Sequence, residues 1–104
     1  MATHTFNRSH STFNVVVDTK AKSVTVTRDN KESVSFKVGD TAVYDSWNLI
    51  YTGAITNITD KTVTIHPRGY QSARRLKLDT FAFYNYDYDA ERIATENAET
   101  SYYI

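Results

Sequence analysis

The sequence has no cysteine. That excludes a disulfide framework, a thiolate metal site and a cysteine nucleophile together. Proline occurs once and glycine three times, at 39, 53 and 69. So few glycines, so far apart, leave no glycine-rich loop to cradle a phosphate. Excess charge of either sign is also missing: 12 basic and 12 acidic residues give a formal net charge of zero. Dedicated nucleic-acid-binding domains usually carry strong positive charge, and this balance weighs against that class. No apolar run approaches the roughly 20 residues of a membrane span. The opening MATHTFNRSH lacks the apolar stretch of a secretion signal. The expected setting is the cytoplasm, with no membrane partner.

What is present is strand chemistry. Threonine, valine and phenylalanine are plentiful, and tyrosine occurs eight times. Such residues suit a pleated, half-buried surface. A chain of 104 residues is expected to be one domain. Residues 1–11 are polar and read as a flexible N-terminal tail, leaving 12–104 as a single β-rich domain with a C-terminal helix. Phe13, Val15 and Val17 alternate with more polar neighbours, as do Val24 with Val26, and Val34 with Phe36 and Val38. This period of two predicts three strands of a meander with one apolar face.

The central stretch, 36–65, predicts three further strands at 41–45, 51–58 and 62–66. A broad loop carrying Ser46, Trp47 and Asn48 separates the first two, and Thr59-Asp60-Lys61 turns into the third. Gly53 within its strand predicts a bend or bulge. Leu76 and Leu78 then mark one more short strand. Asp79-Thr80 is a candidate cap for a helical turn with Phe81, Phe83 and Tyr84. Ala90, Ile93, Ala94 and Ala98 fall at helical spacing and predict a helix over about 89–101, capped by Asp87 or Asp89. The predicted class is therefore mainly β, an antiparallel meander or small barrel with a C-terminal α-helix.

Gly39-Asp40, Val43, the loop, Gly53, Ile55, Val63 and Ile65 follow one another in an order that resembles an SH3-like small β-barrel. In that family the first long loop and the nearby strand ends form the binding groove. The resemblance implies Tyr44, Trp47, Asn48 and Tyr51 as binding residues here. Separately, the ending from Arg74 onward resembles the ends of short uncharacterised bacteriophage and mobile-element proteins, which implies a phage setting without assigning an activity.

Three chemistries are open. Lys61, Arg68, Arg74, Arg75 and Lys77, with Tyr70 and His66 among them and no acidic residue between, form a basic run. Arg68, Tyr70, Arg74, Arg75 and Lys77 are the candidates to hold a phosphate backbone and stack a base; the same run also reads as a solvated strand edge. Asp79, Asp87, Asp89, Glu91, Glu96 and Glu99 follow against Arg92 alone, either pairing with the basic run or presenting an acidic, tyrosine-rich face. Asp87, Asp89 and Glu91 lack histidine partners at ligand spacing, so a metal-dependent hydrolase is the weakest class. No catalytic residue, metal or cofactor is expected. The expected function is a small non-enzymatic binding module that engages a protein or ribonucleoprotein through aromatic residues centred on Trp47. The alternative is a nucleic-acid-binding accessory protein that uses residues 61–77. Self-association is open.

Overall fold

The computed structural model describes residues 1–46, 49–69 and 71–86. They form strands β1 (Ala2–Arg8), β2 (Ser11–Asp18), β3 (Ser23–Arg28), β4 (Ser33–Lys37), β5 (Thr41–Ser46), β6 (Leu49–Ile58), β7 (Thr62–Pro67) and β8 (Arg74–Lys77), then helix α1 (Leu78–Asn85). The mainly β, antiparallel class holds. Among the described residues the strands divide into two open four-stranded sheets, β1-β2-β3-β4 and β5-β6-β7-β8. Among the described residues, the small barrel expected from the SH3-like order is not closed. The helix expected over about 89–101 lies outside the described residues.

The expected N-terminal tail is a strand. β1 pairs with β2 over seven residues, from Ala2↔Val17 to Arg8↔Ser11. Ser9 and His10 connect them, both at positive φ, 51° and 65°. Two left-handed residues in a two-residue connection match the twist of a hairpin. Asn-Gly or Asp-Gly usually supplies that geometry, which is why Ser-His gave no turn signal.

Alternation places the core. Phe13, Val15 and Val17 of β2, Val24 and Val26 of β3, and Phe36 of β4 are buried. They join Ala42, Ile55, Ile58, Val63, Ile65 and Leu76 of the second sheet in a single cluster. Val38, the expected last inward residue of its strand, is exposed, because β4 ends at Lys37. The irregularity expected at Gly53 falls instead between Ile55 and Asn57. Ile58 stands three residues from Ile55, so strict alternation would turn it outward. The extra residue restores it to the core side, level with Val63. Gly53 serves a different need. A Cβ there would overlap the His66 carbonyl oxygen and lie 2.8 Å from Pro67 Cα, so only glycine admits β7 this close.

Helix α1 closes the core. Leu78, Phe81, Ala82 and Asn85 are its buried residues, at i, i+3, i+4 and i+7. Phe81 meets Phe36 edge to face at 5.1 Å between ring centroids. Leu78, expected in the last strand, opens the helix. The capping expected from Asp79-Thr80 is absent: the N-cap position falls on Lys77, with no side-chain cap bond. Asp79 lies within the first turn, where its charge suits the helix dipole.

Candidate binding surface

The hairpin β5–β6 positions the predicted aromatic residues. Its ladder runs from Thr41↔Ala54 through Tyr44↔Tyr51 to Ser46↔Leu49. Only Trp47 and Asn48 separate the two strands, so the broad loop expected here is a two-residue connection. Both of those residues lie outside the described set. Tyr44 and Tyr51, directly opposite each other, stack with ring centroids 6.3 Å apart and planes 25° apart. Both are half-buried, and Tyr44 packs against the core. Opposed aromatic pairs of this kind contribute roughly 0.2–1 kcal/mol to a hairpin relative to alanines.

The root of the hairpin is fixed from the side. Asn85 of α1 is 2% exposed. Its Oδ1 accepts from the Val43 N–H at 2.7 Å, and its Nδ2 donates to the Val43 carbonyl at 3.1 Å and the Phe81 carbonyl at 3.0 Å. The amide thus behaves as one more residue of strand against the edge of β5. Across from Val43 stands Thr52, also buried at 2%. Its hydroxyl has no hydrogen-bond partner among the described residues. Both residues face away from the side that carries Ala42 and Ile55.

The basic candidates divide between two places. The Arg68 N–H donates to the Thr52 carbonyl at 2.9 Å, which brings the β7–β8 connection beside the residue that follows Tyr51. Arg68 is exposed. Tyr70 lies outside the described residues. Arg74, Arg75 and Lys77 are exposed along β8. Arg75 and Lys77 stand across from Thr64 and Thr62, while Arg74 stands across from Ile65 on the other face. β7 separates all three from the tyrosine pair. The structure therefore brings Arg68 toward the aromatic hairpin and lays the other three along the opposite edge of the sheet.

A second aromatic cluster escaped the sequence reading. The Arg8 guanidinium lies 4.5 Å from the Phe83 ring centroid and 5.4 Å from that of Tyr84. Arg28 lies 5.1 Å from the Tyr86 ring, whose hydroxyl donates to the Glu32 carbonyl. Phe13 meets both Phe83 and Tyr86 edge to face. These contacts fasten the helix end to the first sheet. The signal was the alternation of Ala2, His4, Phe6 and Arg8 with Thr3, Thr5 and Asn7, diluted by two polar members on the inward side.

Among the described residues, no group of three or more histidine, aspartate or glutamate side chains stands close enough to hold a metal ion. Asp87, Asp89 and Glu91 lie outside them. No described helix is long and apolar enough to cross a membrane. Comparison with protein-family models, curated proteins and solved structures gave no match.

Proposed function

We propose that the chain is a non-enzymatic binding module that grips a protein or ribonucleoprotein through the end of the β5–β6 hairpin. The observation that carries this reading is the stacked Tyr44–Tyr51 pair, two ladder pairs before the two-residue connection that holds the single tryptophan. Aromatic residues on a rigid hairpin offer large contact area with little conformational freedom to lose, and such residues dominate many interfaces. Arg68 beside the hairpin supplies orientation. A phage origin, with a bacterial host factor as the partner, rests on the resemblance of the C-terminal sequence alone.

The test is capture from a nuclease-treated bacterial lysate by the parent and by Trp47→Ala, with thermal melting run alongside. Binding falls tenfold or more in Trp47→Ala while the melting temperature is kept. If Trp47→Ala melts far below the parent, the tryptophan is a core lid and the reading fails.

A nucleic-acid reading is favoured by one observation of its own. Arg74, Arg75 and Lys77 are all exposed on one edge strand, Arg75 and Lys77 on one face and Arg74 on the other, and no acidic side chain pairs with them among the described residues. Single-stranded binding through these residues would weaken with salt at about 0.7 decades of affinity per decade of salt for each phosphate contacted. Arg74→Glu with Arg75→Glu would abolish it and Trp47→Ala would spare it. The opposite pattern supports the hairpin.

A further inference from the structure

Two open sheets have four edges, and natural proteins blunt such edges with charge, brevity or a cover. β8 is four residues long and carries Arg74, Arg75 and Lys77. The edge of β5 is bracketed at Val43 by Asn85. β4 is five residues long, with Lys37 at its end and Tyr86 bonded to the Glu32 carbonyl at its start. β1 is the least protected among the described residues: it is neither short nor bracketed, and its one charge, Arg8, is engaged by Thr80, Phe83 and Tyr84 of α1. It runs seven residues in unbroken register with β2, without proline or bulge. Arg8 stands at its end, and β1 has no strand on its outer side among the described residues.

We propose that β1 is an assembly edge, and that its occupant is β1 of a second copy of the chain, antiparallel about a two-fold axis through Thr5. The sequence of the strand selects that occupant. An isologous contact must be self-complementary. With Thr5 on the axis, all seven residues pair: Thr5 with Thr5, Thr3 with Asn7, His4 with Phe6, and Ala2 with Arg8. The in-and-out alternation is preserved. Thr3 and Thr5 are exposed on the outer face, while His4 and Phe6 are half-buried on the inner one. Cross-strand threonine pairs are favourable and like charges directly opposite are not; this register contains the former and none of the latter. His4 and Phe6 already stack within one chain, at 5.9 Å and 9°, so the two copies bring two such pairs face to face across the junction, each His4 opposite a Phe6. A two-fold on His4 or Phe6 would leave part of the strand unpaired. The pairing joins two four-stranded sheets into one of eight strands. It lies in the sheet that does not contain the β5–β6 hairpin, so it stands or falls independently of the binding reading.

The absence of cysteine makes the register directly measurable. Residues directly opposite in such a pair have Cβ atoms about 4.5–5.5 Å apart, close to disulfide reach. Thr5→Cys is expected to cross-link to its own copy under mild oxidation. Thr3→Cys sits four residues out of register with its copy, about 13 Å away, and is expected not to. In sedimentation over a dilution series, the parent is expected at twice its 11.9 kDa mass. Thr5→Lys, which opposes two charges on the axis, is expected to raise the dimer Kd at least tenfold. Thr56→Lys, exposed on the other sheet, is expected to leave it unchanged. A parent that stays monomeric into the high-micromolar range overturns the proposal. So does a dimer indifferent to Thr5→Lys, or equal cross-linking of Thr3→Cys and Thr5→Cys.

Discussion

Replacing Asn85 with alanine tests how the hairpin is held. Asn85 satisfies both backbone groups of Val43, a residue 1% exposed. The orientation of the amide follows from its partners, since the oxygen faces an N–H and the nitrogen faces two carbonyls. In Asn85→Ala the Val43 N–H and C=O lose those partners while shielded from water. A buried unsatisfied group costs about 1–3 kcal/mol, and the carbonyl, with two lone pairs, falls at the low end. The Phe81 carbonyl keeps the helical bond from its own element. The sum is about 3 kcal/mol, a large part of the roughly 5–15 kcal/mol of a domain this size, and a fall in melting temperature of about 12–24 °C. Asn85→Asp separates hydrogen bonding from packing. One carboxylate oxygen can still accept from Val43, but the other confronts two carbonyls. Burial and those acceptors raise the carboxyl pKa in the folded state above its unfolded value near 4. A raised folded pKa means that the stability is present below that unfolded value and is lost as pH rises through the folded one. Asn85→Asp should therefore approach the parent near pH 3–4 and fall away by pH 7, while Asn85→Ala loses a constant amount. Melting each variant against the parent across that range is the assay. A loss under about 1 kcal/mol for Asn85→Ala, equivalent to about 4–8 °C, would mean that water reaches Val43 and the bracket is not closed.

Two further substitutions probe the same root. Gly53→Ala would set a methyl group against the His66 carbonyl and Pro67, both backbone, and should destabilise by about 3 kcal/mol in chemical denaturation; a midpoint within error of the parent would mean that β6 and β7 can part freely. Thr52→Val removes a buried hydroxyl without a partner and keeps the shape of the side chain, so it should stabilise by about 1 kcal/mol. A loss of stability there would show that the hydroxyl does find a partner in solution.

The sequence was most legible where alternation was strict. Phe13, Val15, Val17, Val24, Val26 and Phe36 all reach the core, because a period of two with one apolar face has a single low-energy register. It was least legible where a local rule was met by an unusual residue. Ser9-His10 makes a left-handed turn without glycine or asparagine, and β1 disappeared into an expected tail. A bulge after Ile55 turns Ile58 inward, though nothing in Thr56 announces one. For the candidate site, strand placement put Tyr44 and Tyr51 near the strand ends on either side of Trp47, but their direct opposition depends on β6 starting at Leu49 rather than at Tyr51. The bracket from Asn85 did not follow from that placement, because it joins residues 42 apart in sequence. Nor did the separation of Arg68 from Arg74 and Arg75, since Arg68 opens the connection that follows β7 and the other two belong to β8.

Departures from regularity are not spread evenly over the two sheets. In the first, three ladders run without a register shift. In the second, three departures cluster within two residues of the tyrosine pair: the amide that takes the place of a strand at Val43, the unpartnered hydroxyl of Thr52, and the glycine pressed against a neighbouring carbonyl. Each costs something that an ordinary hairpin would not require. A consistent sequence keeps such conflicts where function asks for them. On the proposed binding reading, a hairpin that carries a stacked tyrosine pair needs a firm root, and the side-chain amide of Asn85 supplies one at Val43. The regular sheet, whose open edge is β1, has no such demand on it. Its unbroken register is what a self-complementary edge requires, since a bulge in β1 would destroy the symmetry of the pairing. The two proposals, binding through the irregular sheet and assembly through the regular one, thus call for opposite properties, and the described residues carry each property in a separate sheet.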